Sequence, residues 1–495
     1  MKRTTSILCG LLALVAAALA ASIPGPPGDA QEASPAPVAP VPSERQVRWH
    51  GLEFYGFLHF GLNTFTDKEW GYGDEKPALF DPSALDARQW ARVAREAGMK
   101  GLIITAKHHD GFCLWPSRFT RHSVAQSPWK DGRGDVVAEL SRACREFGLA
   151  FGVYLSPWDR NHADYGRPEY LTYYRRQLRE LLTDYGPTFE VWFDGANGGD
   201  GFYGGARETR RIDNRTYYDW PNTWDIVRAL QPGAVMFSDA GPDIRWVGNE
   251  KGIAFDSTWY GLDRQATYPG DPRYARELAR GAIDATDYVP PEVDVSIRPG
   301  WFYHAEQDAK VKSVEDLLEI YYSSIGRGAN LLLNIPPDRR GLIPDIDAAR
   351  LREFRRVLDA AFANDLARTA VATATATRGR SGRFDAGRVN DNDGGTYWAT
   401  GDEVTSASVE LAWAEPVTFD RVVLQEAIAL GQRVEAWRVE AEVDGAWRAV
   451  AEGTSIGYKR IARFEPVTAR RVRVTVVKAR ACPTLATIGV FRSER

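Results

Sequence analysis

A chain of 495 residues is longer than one hydrophobic core commonly supports, so two or more domains are expected. With 26% charged residues and a formal net charge of −4, it has no electrostatic basis for binding nucleic acid or an anionic membrane surface. Aromatic residues make up 12% of the chain, enough flat amphipathic rings to line a sugar site or to fill a core.

At the amino terminus Lys2 and Arg3 precede an apolar run, Ile7 to Ala20, that ends in small residues. This is the pattern of a cleavable secretory signal over residues 1–21, too short for a comfortable membrane span, and no second apolar stretch reaches spanning length. The expectation is a secreted or periplasmic protein with no membrane span after cleavage. Residues 22–45, which hold Pro24, Pro26, Pro27, Pro35, Pro37, Pro40 and Pro42, read as a disordered linker. Cys113, Cys144 and Cys482 then remain; they make no disulfide framework and match no zinc spacing, so no metal held by thiolates is expected.

From residue 54 strand-like apolar runs alternate with helical patterns that stop at glycine. The strand Phe54 to Leu62 is followed by the helix Ser83 to Ala97, Gly101 to His109 by Asp135 to Phe147, and Ala150 to Trp158 by Pro168 to Tyr185. The strand Phe189 to Phe193, the helix Thr223 to Leu230 and the strand Ala234 to Asp239 continue the series. Further strands are expected at Ile253 to Thr258, Val293 to Arg298 and Asn330 to Ile335, with helices at Val314 to Ile325 and Ala348 to Ala363. Seven or eight strands with helical crossovers predict an α/β fold, a (β/α)₈ TIM-like barrel over residues 46–365. An open doubly wound sheet is the rival, and no G-x-G-x-x-G follows the first strand. Short alternating runs from Val371 onward, with Asp444-Gly445 as a hairpin turn, predict an all-β sandwich over 371–495. The segment Asn390 to Trp398 reads either as a small cation loop or as a plain acidic turn.

Polar and aromatic residues gather at the expected strand ends, where α/β barrels carry their chemistry. The run Phe189 to Gly195 delivers Asp194 either into a cleft or to the cap of the next turn. His59, His108 and His109 lie at two successive strand ends, with Glu69 and Trp70 in the loop between. Adjacent histidines on a strand point to opposite sides and chelate one ion poorly, so hydrogen bonding to a polar substrate is preferred over a metal. There is no G-x-S-x-G, and the glycine-rich stretch Gly195 to Gly201 lacks the Lys-Ser/Thr of a phosphate loop. Two carboxylates acting on a glycosidic bond suit an exported, aromatic-rich barrel best.

The strings F-L-H-F-G (57–61), E-W-G (69–71), K-H-H-D-G-F (107–112), Y-L-S-P-W (154–158), W-F-D-G (192–195) and R-P-G-W-F-Y-H (298–304), in this order and spacing, resemble the α-L-fucosidases of glycoside hydrolase family 29. R-W-V-G-N-E (245–250) is similar to the subfamily that prefers α-1,3/4-linked fucose. The resemblance implies a retaining fucosidase acting on fucosylated oligosaccharides or glycoprotein glycans, with no cofactor, Asp194 as nucleophile and Glu250 as acid/base. Glu292 and Glu69 are the alternatives for the second role. It further implies that His59, Glu69, Trp70, His108 and His109 hold the sugar hydroxyls and that Tyr154, Arg298 and Trp301 complete the pocket. The competing readings are a retaining glycosidase for a related sugar such as an α-galactoside, and a glycan-binding protein whose barrel has lost catalysis. D-G-G-T-Y-W (393–398) and the strand pattern resemble a discoidin-type or carbohydrate-binding sandwich, which either binds glycans or braces the barrel.

Overall fold

Each barrel strand is a short apolar run whose successive side chains face opposite sides, one toward the barrel interior and one toward the helices. In the computed structural model, which describes residues 33–493 apart from Pro272 and Tyr274, eight such strands close into a parallel barrel. The proposed signal sequence and residues 22–32 of the proposed linker lie outside the described residues. From Pro35 onward the chain forms one compact unit.

In chain order the elements are α1 (Glu44–His50), β1 (Phe54–Leu58), α2 (Leu62–Thr66), α3 (Ala87–Glu96), β2 (Gly101–Lys107), α4 (Val136–Phe147), β3 (Ala150–Leu155), α5 (Pro168–Asp184) and β4 (Glu190–Trp192). A hairpin of β5 (Gly199–Gly201) and β6 (Glu208–Arg210) follows, then α6 (Trp220–Leu230), β7 (Val235–Ser238) and β8 (Ile244–Trp246). The two-residue strands β9 (Gly261–Leu262) and β10 (Asp287–Tyr288) flank α7 (Ala275–Arg280). Then come β11 (Pro291–Ser296), α8 (Val314–Ser324), β12 (Asn330–Asn334) and α9 (Asp345–Phe362). The strand order around the barrel is β1-β12-β11-β8-β7-β4-β3-β2.

Two expectations need correction here. Residues 253–258 form no strand; the eighth strand is β8, joined to β7 by residues 239–243 with no helix between them. From Pro35 the expected disordered linker is fixed instead. Val38 N donates to Leu430 O at 2.9 Å, Arg433 Nη2 to Ala36 O at 2.5 Å and Arg480 Nη2 to Ala39 O at 3.0 Å. Proline lowers the entropy lost on ordering an extended segment, so a few carbonyls that meet arginines, one of them the buried Arg433, suffice to hold it. α1 then inserts Trp49 into the barrel interior, while Gln46 Nε2 donates to Asp243 O and Tyr288 O, both at 2.7 Å.

The helices cover the outer faces of the barrel strands with Leu58, Leu102, Ile104, Val153, Val191 and Phe193 beneath them. The interior is a separate, aromatic cluster that includes Tyr55, Phe57, Tyr154, Trp192 and Phe237. Beyond α9, β13 (Val371–Ala374), β14 (Trp398–Ala399), β15 (Ala407–Glu426), β16 (Val434–Val443), β17 (Ala446–Gly453), β18 (Arg460–Ala479) and β19 (Thr484–Phe491) make a sandwich-like antiparallel domain. The long strands β15 and β18 shift register after Ala412 and again after Phe419, which lets the first half of β15 pair with β13 and the second with β19. Asp444 and Gly445 both have positive φ, the requirement of the type I′ turn read from the sequence.

Candidate active site

Period-two alternation along β4 puts Glu190, Trp192 and, just past the strand end, Asp194 on the interior side. At the floor Trp192 Nε1 donates to Glu292 Oε1 at 2.8 Å, Tyr55 donates to Glu292 Oε2, and Trp49 Nε1 donates to Glu190 Oε2 at 3.2 Å. Both carboxyls are fully enclosed, and burial raises both above the ordinary glutamate range. Glu292 therefore belongs to the barrel interior and is no acid/base for a ligand at the mouth, which corrects that alternative.

One layer higher, Tyr154 OH donates to Asp194 Oδ2 at 2.9 Å and Ala196 N donates to Oδ1 at 2.7 Å. His109 Nε2 lies 3.8 Å from Oδ2. Asp194 thus faces the cavity and also accepts from the backbone of its own turn. On the next strand end Asp239 accepts from Gly270 N at 3.0 Å, and burial together with the charge of Asp194 raises its carboxyl to about 7.

β2 ends at Lys107 after a bulge between Thr105 and Lys107, where strand alternation stops. His108 and His109 consequently lie on the same side, with ring centroids 4.0 Å apart, contrary to the opposite orientation expected for a continuous strand. Ser156 Oγ donates to Trp158 O at 2.7 Å and so accepts from His109 Nδ1 at 2.8 Å, leaving Nε2 without a proton toward the cavity. His59 Nδ1 pairs with Asn334 Oδ1 at 2.9 Å, because the amide nitrogen of Asn334 is spent on Ser296 Oγ and Trp301 O; this too leaves Nε2 bare. Burial lowers His59 to about 3 and His109 to about 4, and takes His108 well below its usual value. Neutral imidazoles with free nitrogens accept hydrogen bonds from hydroxyl groups.

The far wall comes from the loop after β11. Trp301 packs on His59 with ring centroids 5.0 Å apart, and its Nε1 donates to Glu250 Oε2 at 3.1 Å. Glu69 is anchored to this loop: it accepts from Trp301 N at 2.9 Å and pairs with His304 Nε2 at 2.6 Å. Burial alone would lower His304, yet its bonds to Glu69 and Asp67 raise it above the ordinary imidazole value. Trp70 stands half exposed at the rim, edge-on to His109 and Trp158. Glu250 still reaches solvent, but the protein packed around it, with the charges of Asp194 and Glu69, raises its carboxyl above the usual range against the opposing Trp301 bond.

The structure thus gathers Asp194, Tyr154, His59, His108, His109, Glu69, Trp70, Trp301 and Glu250 around one cavity at the carboxyl ends of the strands. Arg298 is not part of it. Its side chain is fully enclosed, paired through Nε and Nη2 with Asp347 at 2.8 and 2.7 Å and through Nη1 with Asp308 at 2.8 Å. It supports the Trp301 loop from behind, since two carboxylates are a stronger draw for a buried guanidinium than an open pocket. Sequence reasoning also missed His304, Asn334, Ser156 and Asp239. His304 ends the string that carries Trp301, Ser156 lies within Y-L-S-P-W (154–158), and Asp239 and Asn334 lie at or near the ends of expected strands, so each was legible as a polar neighbour though its partner was not.

A family model described as Alpha-L-fucosidase matches residues 43–360, and one described as F5/8 type C domain matches residues 371–487. The chain is 42% identical to alpha-L-fucosidase 1 of Arabidopsis thaliana over 462 residues, 92% of this chain and 88% of that one. A solved glycoside hydrolase 29 family member from an unknown rumen bacterium is 45% identical, with a TM-score of 0.83, covering 93% of this chain and 78% of that one. A Ruminococcus gnavus GH29 fucosidase solved in complex with fucose is 33% identical, with a TM-score of 0.84, covering 94% and 98%.

Proposed function

Because the chain belongs to the α-L-fucosidase family, glycoside hydrolase family 29, we propose that it removes terminal α-linked L-fucose from glycans by double displacement, with Asp194 as nucleophile and Glu250 as acid/base. The observation that carries this reading is the contrast between the two carboxyls. Asp194 accepts two hydrogen bonds in the cavity that aim it for attack, while the protein packed around Glu250 and the neighbouring negative charge raise that carboxyl toward the protonated form needed for donation. Asp194 attacks C1 of the sugar as the glycosidic oxygen takes the proton from Glu250 and leaves. Glu250, now a carboxylate, takes a proton from water; the water oxygen bonds to C1, the ester to Asp194 breaks, and fucose departs with its anomeric configuration retained. The bare nitrogens of His59 and His109 accept from sugar hydroxyls, and the Trp301 ring suits an apolar sugar face. The fucose in the Ruminococcus gnavus relative supports fucose as the bound sugar.

Glu250→Ala should lower turnover of an unactivated fucoside by about 10²–10⁴-fold, while on an activated aryl fucoside, whose leaving group needs no proton, azide should restore turnover by attacking the glycosyl-enzyme to give α-fucosyl azide. Wild-type rates in that variant would remove Glu250 from the mechanism. The string R-W-V-G-N-E (245–250) supports a preference for α-1,3/4 linkages. Faster release of fucose from α-1,2-linked than from α-1,3/4-linked oligosaccharides would overturn it. The Lys2 to Ala20 pattern supports export, and amino-terminal sequencing of the mature protein should then begin near residue 22.

A further inference from the structure

Glu250 stands on the connection from β8 to β9, residues 247–260, and within the described residues its carboxylate meets one hydrogen-bond donor, the Trp301 indole. What fixes the loop lies a few residues further on. At Gly252, which has φ +81°, an added Cβ would lie 2.7 Å from Ile320 of α8, so the backbone rests directly on that helix. Ala254 N donates to Ser323 O at 2.8 Å, and Arg327 Nη1 donates to Ala254 O at 2.8 Å. From Asp256 onward partners from the sandwich join those of the barrel, which still holds the Asp256 carboxylate through Arg327 Nε at 3.0 Å and Trp259 N through Arg280 O at 2.9 Å. Arg460 Nη2 donates to Asp256 O at 2.6 Å, Ser257 Oγ bonds to Thr454 Oγ1 at 2.6 Å, and Thr258 N donates to Ser455 Oγ at 3.0 Å. Gln432 closes the set, donating from Nε2 to Thr258 O at 2.9 Å and accepting from Tyr260 N at 3.0 Å.

Apart from the Ser257–Thr454 bond between two hydroxyls, the sandwich contributes side chains that bond to the backbone of the loop. Arg460 and Ser455 are buried, and Arg460 is tied to Ser455 O at 3.1 Å as well, so the anchor is rigid. The side chains of Ile253 and Phe255, on either side of the bonded Ala254, are 45% and 43% exposed. A general acid must stand within hydrogen-bond reach of the leaving oxygen, and a displacement of about 1 Å costs on the order of 100-fold in rate.

We propose that the carboxy-terminal sandwich is a positioning element for the acid/base: Ser455, Arg460 and Gln432 hold residues 256–260 and so set where Glu250 stands over the barrel mouth. This rests on the reading of Glu250 as acid/base, and it gives the sandwich a part in proton donation that requires no glycan bound to it.

The test is the dependence of kcat/KM on the leaving group, measured on the intact protein with aryl α-L-fucosides from dinitrophenyl, which departs without a proton, to phenyl, which needs one. Ser455→Ala and Arg460→Met should keep the dinitrophenyl value within about twofold and lose about 10–100-fold on the phenyl substrate. Arg463→Ala breaks a pair to Glu319 at 2.7 Å across the same seam without touching the loop, and should follow the wild type on every substrate. Glu250→Gln is run in parallel and should show the steepest dependence of all. A flat response in Glu250→Gln overturns the acid assignment itself. A steep response there, with Ser455→Ala and Arg460→Met either matching the wild type or losing all substrates in parallel, overturns the brace alone. Ser455→Ala removes only a hydroxyl, so it decides the matter if Arg460→Met does not fold.

Discussion

The hydroxyl of Tyr154 donates to Asp194 from a position fixed by packing. Its ring stacks on Trp192 with centroids 5.4 Å apart, and Trp192 in turn lies flat on Phe237 at 3.9 Å while its indole nitrogen is held by Glu292. A bond to a charged acceptor contributes about 1.5–3 kcal/mol, and here it acts twice, orienting the carboxylate for attack and stabilising it as it leaves in the second displacement. Tyr154→Phe is expected to slow deglycosylation by about 10–100-fold with little change in melting temperature. Rapid-mixing kinetics with an activated aryl fucoside should show a burst as the glycosyl-enzyme accumulates. An unchanged steady-state rate would mean that Ala196 N alone suffices to hold the nucleophile.

At the scale of elements, β4 and β7 meet where Gly195 faces Asp239. A Cβ on Gly195 would lie 2.0 Å from Asp239 Oδ2, an oxygen already held by Gly270 N. Gly195→Ala must push apart two strand ends, one of which carries Asp194, so a stability loss of about 1–3 kcal/mol and a larger loss of turnover are expected, read by thermal melting and kcat. The glycine after the nucleophile was visible in the sequence, but its reason was not, because Asp239 is 44 positions away. The same contrast runs through the barrel. Strands such as β2, β3 and β12 were legible because both faces are buried and the run is apolar. β8 was hidden, since its middle residue is Arg245, a guanidinium fully enclosed by the carbonyls of Leu278, Val289 and Trp259. Residues 253–258 gave the opposite error. They carry β-favouring side chains, yet several of their backbone groups bond to α8 and the sandwich instead of a ladder, which no local pattern reveals. Arg298 misled for a similar reason: its partner Asp347 arrives from α9.

For the whole molecule, buried titratable groups of two kinds set opposing dependences on pH. His50 and His59 are lowered by burial to about 3 and His109 to about 4, with His108 also well below its usual value. The stability these neutral bases contribute is complete above the unfolded value of about 6.5 and is lost as pH falls toward their folded values, at up to about 1.4 kcal/mol per pH unit for each proton. Asp110, Asp239 and Glu426 are raised by burial to about 7, and Glu190, Glu292 and Asp294 are raised too. On acidification below 7 the folded chain protonates these carboxyls before the unfolded chain does, which stabilises the fold until pH reaches about 4. Between pH 7 and 5 the acids offset the histidines, so the melting temperature at pH 5 should be no lower than at pH 7. Below about pH 4 the acids bind a proton in both states, the histidines continue to lose, and carboxylates held low by their partners, such as Asp159 beside Lys107, begin to protonate. A steep fall in melting temperature is expected there. A steady decline from pH 7 to 5 in scanning calorimetry would show that the buried carboxyls are ionised in the fold, and with them the neutral state of Asp239 beside the nucleophile would have to be abandoned.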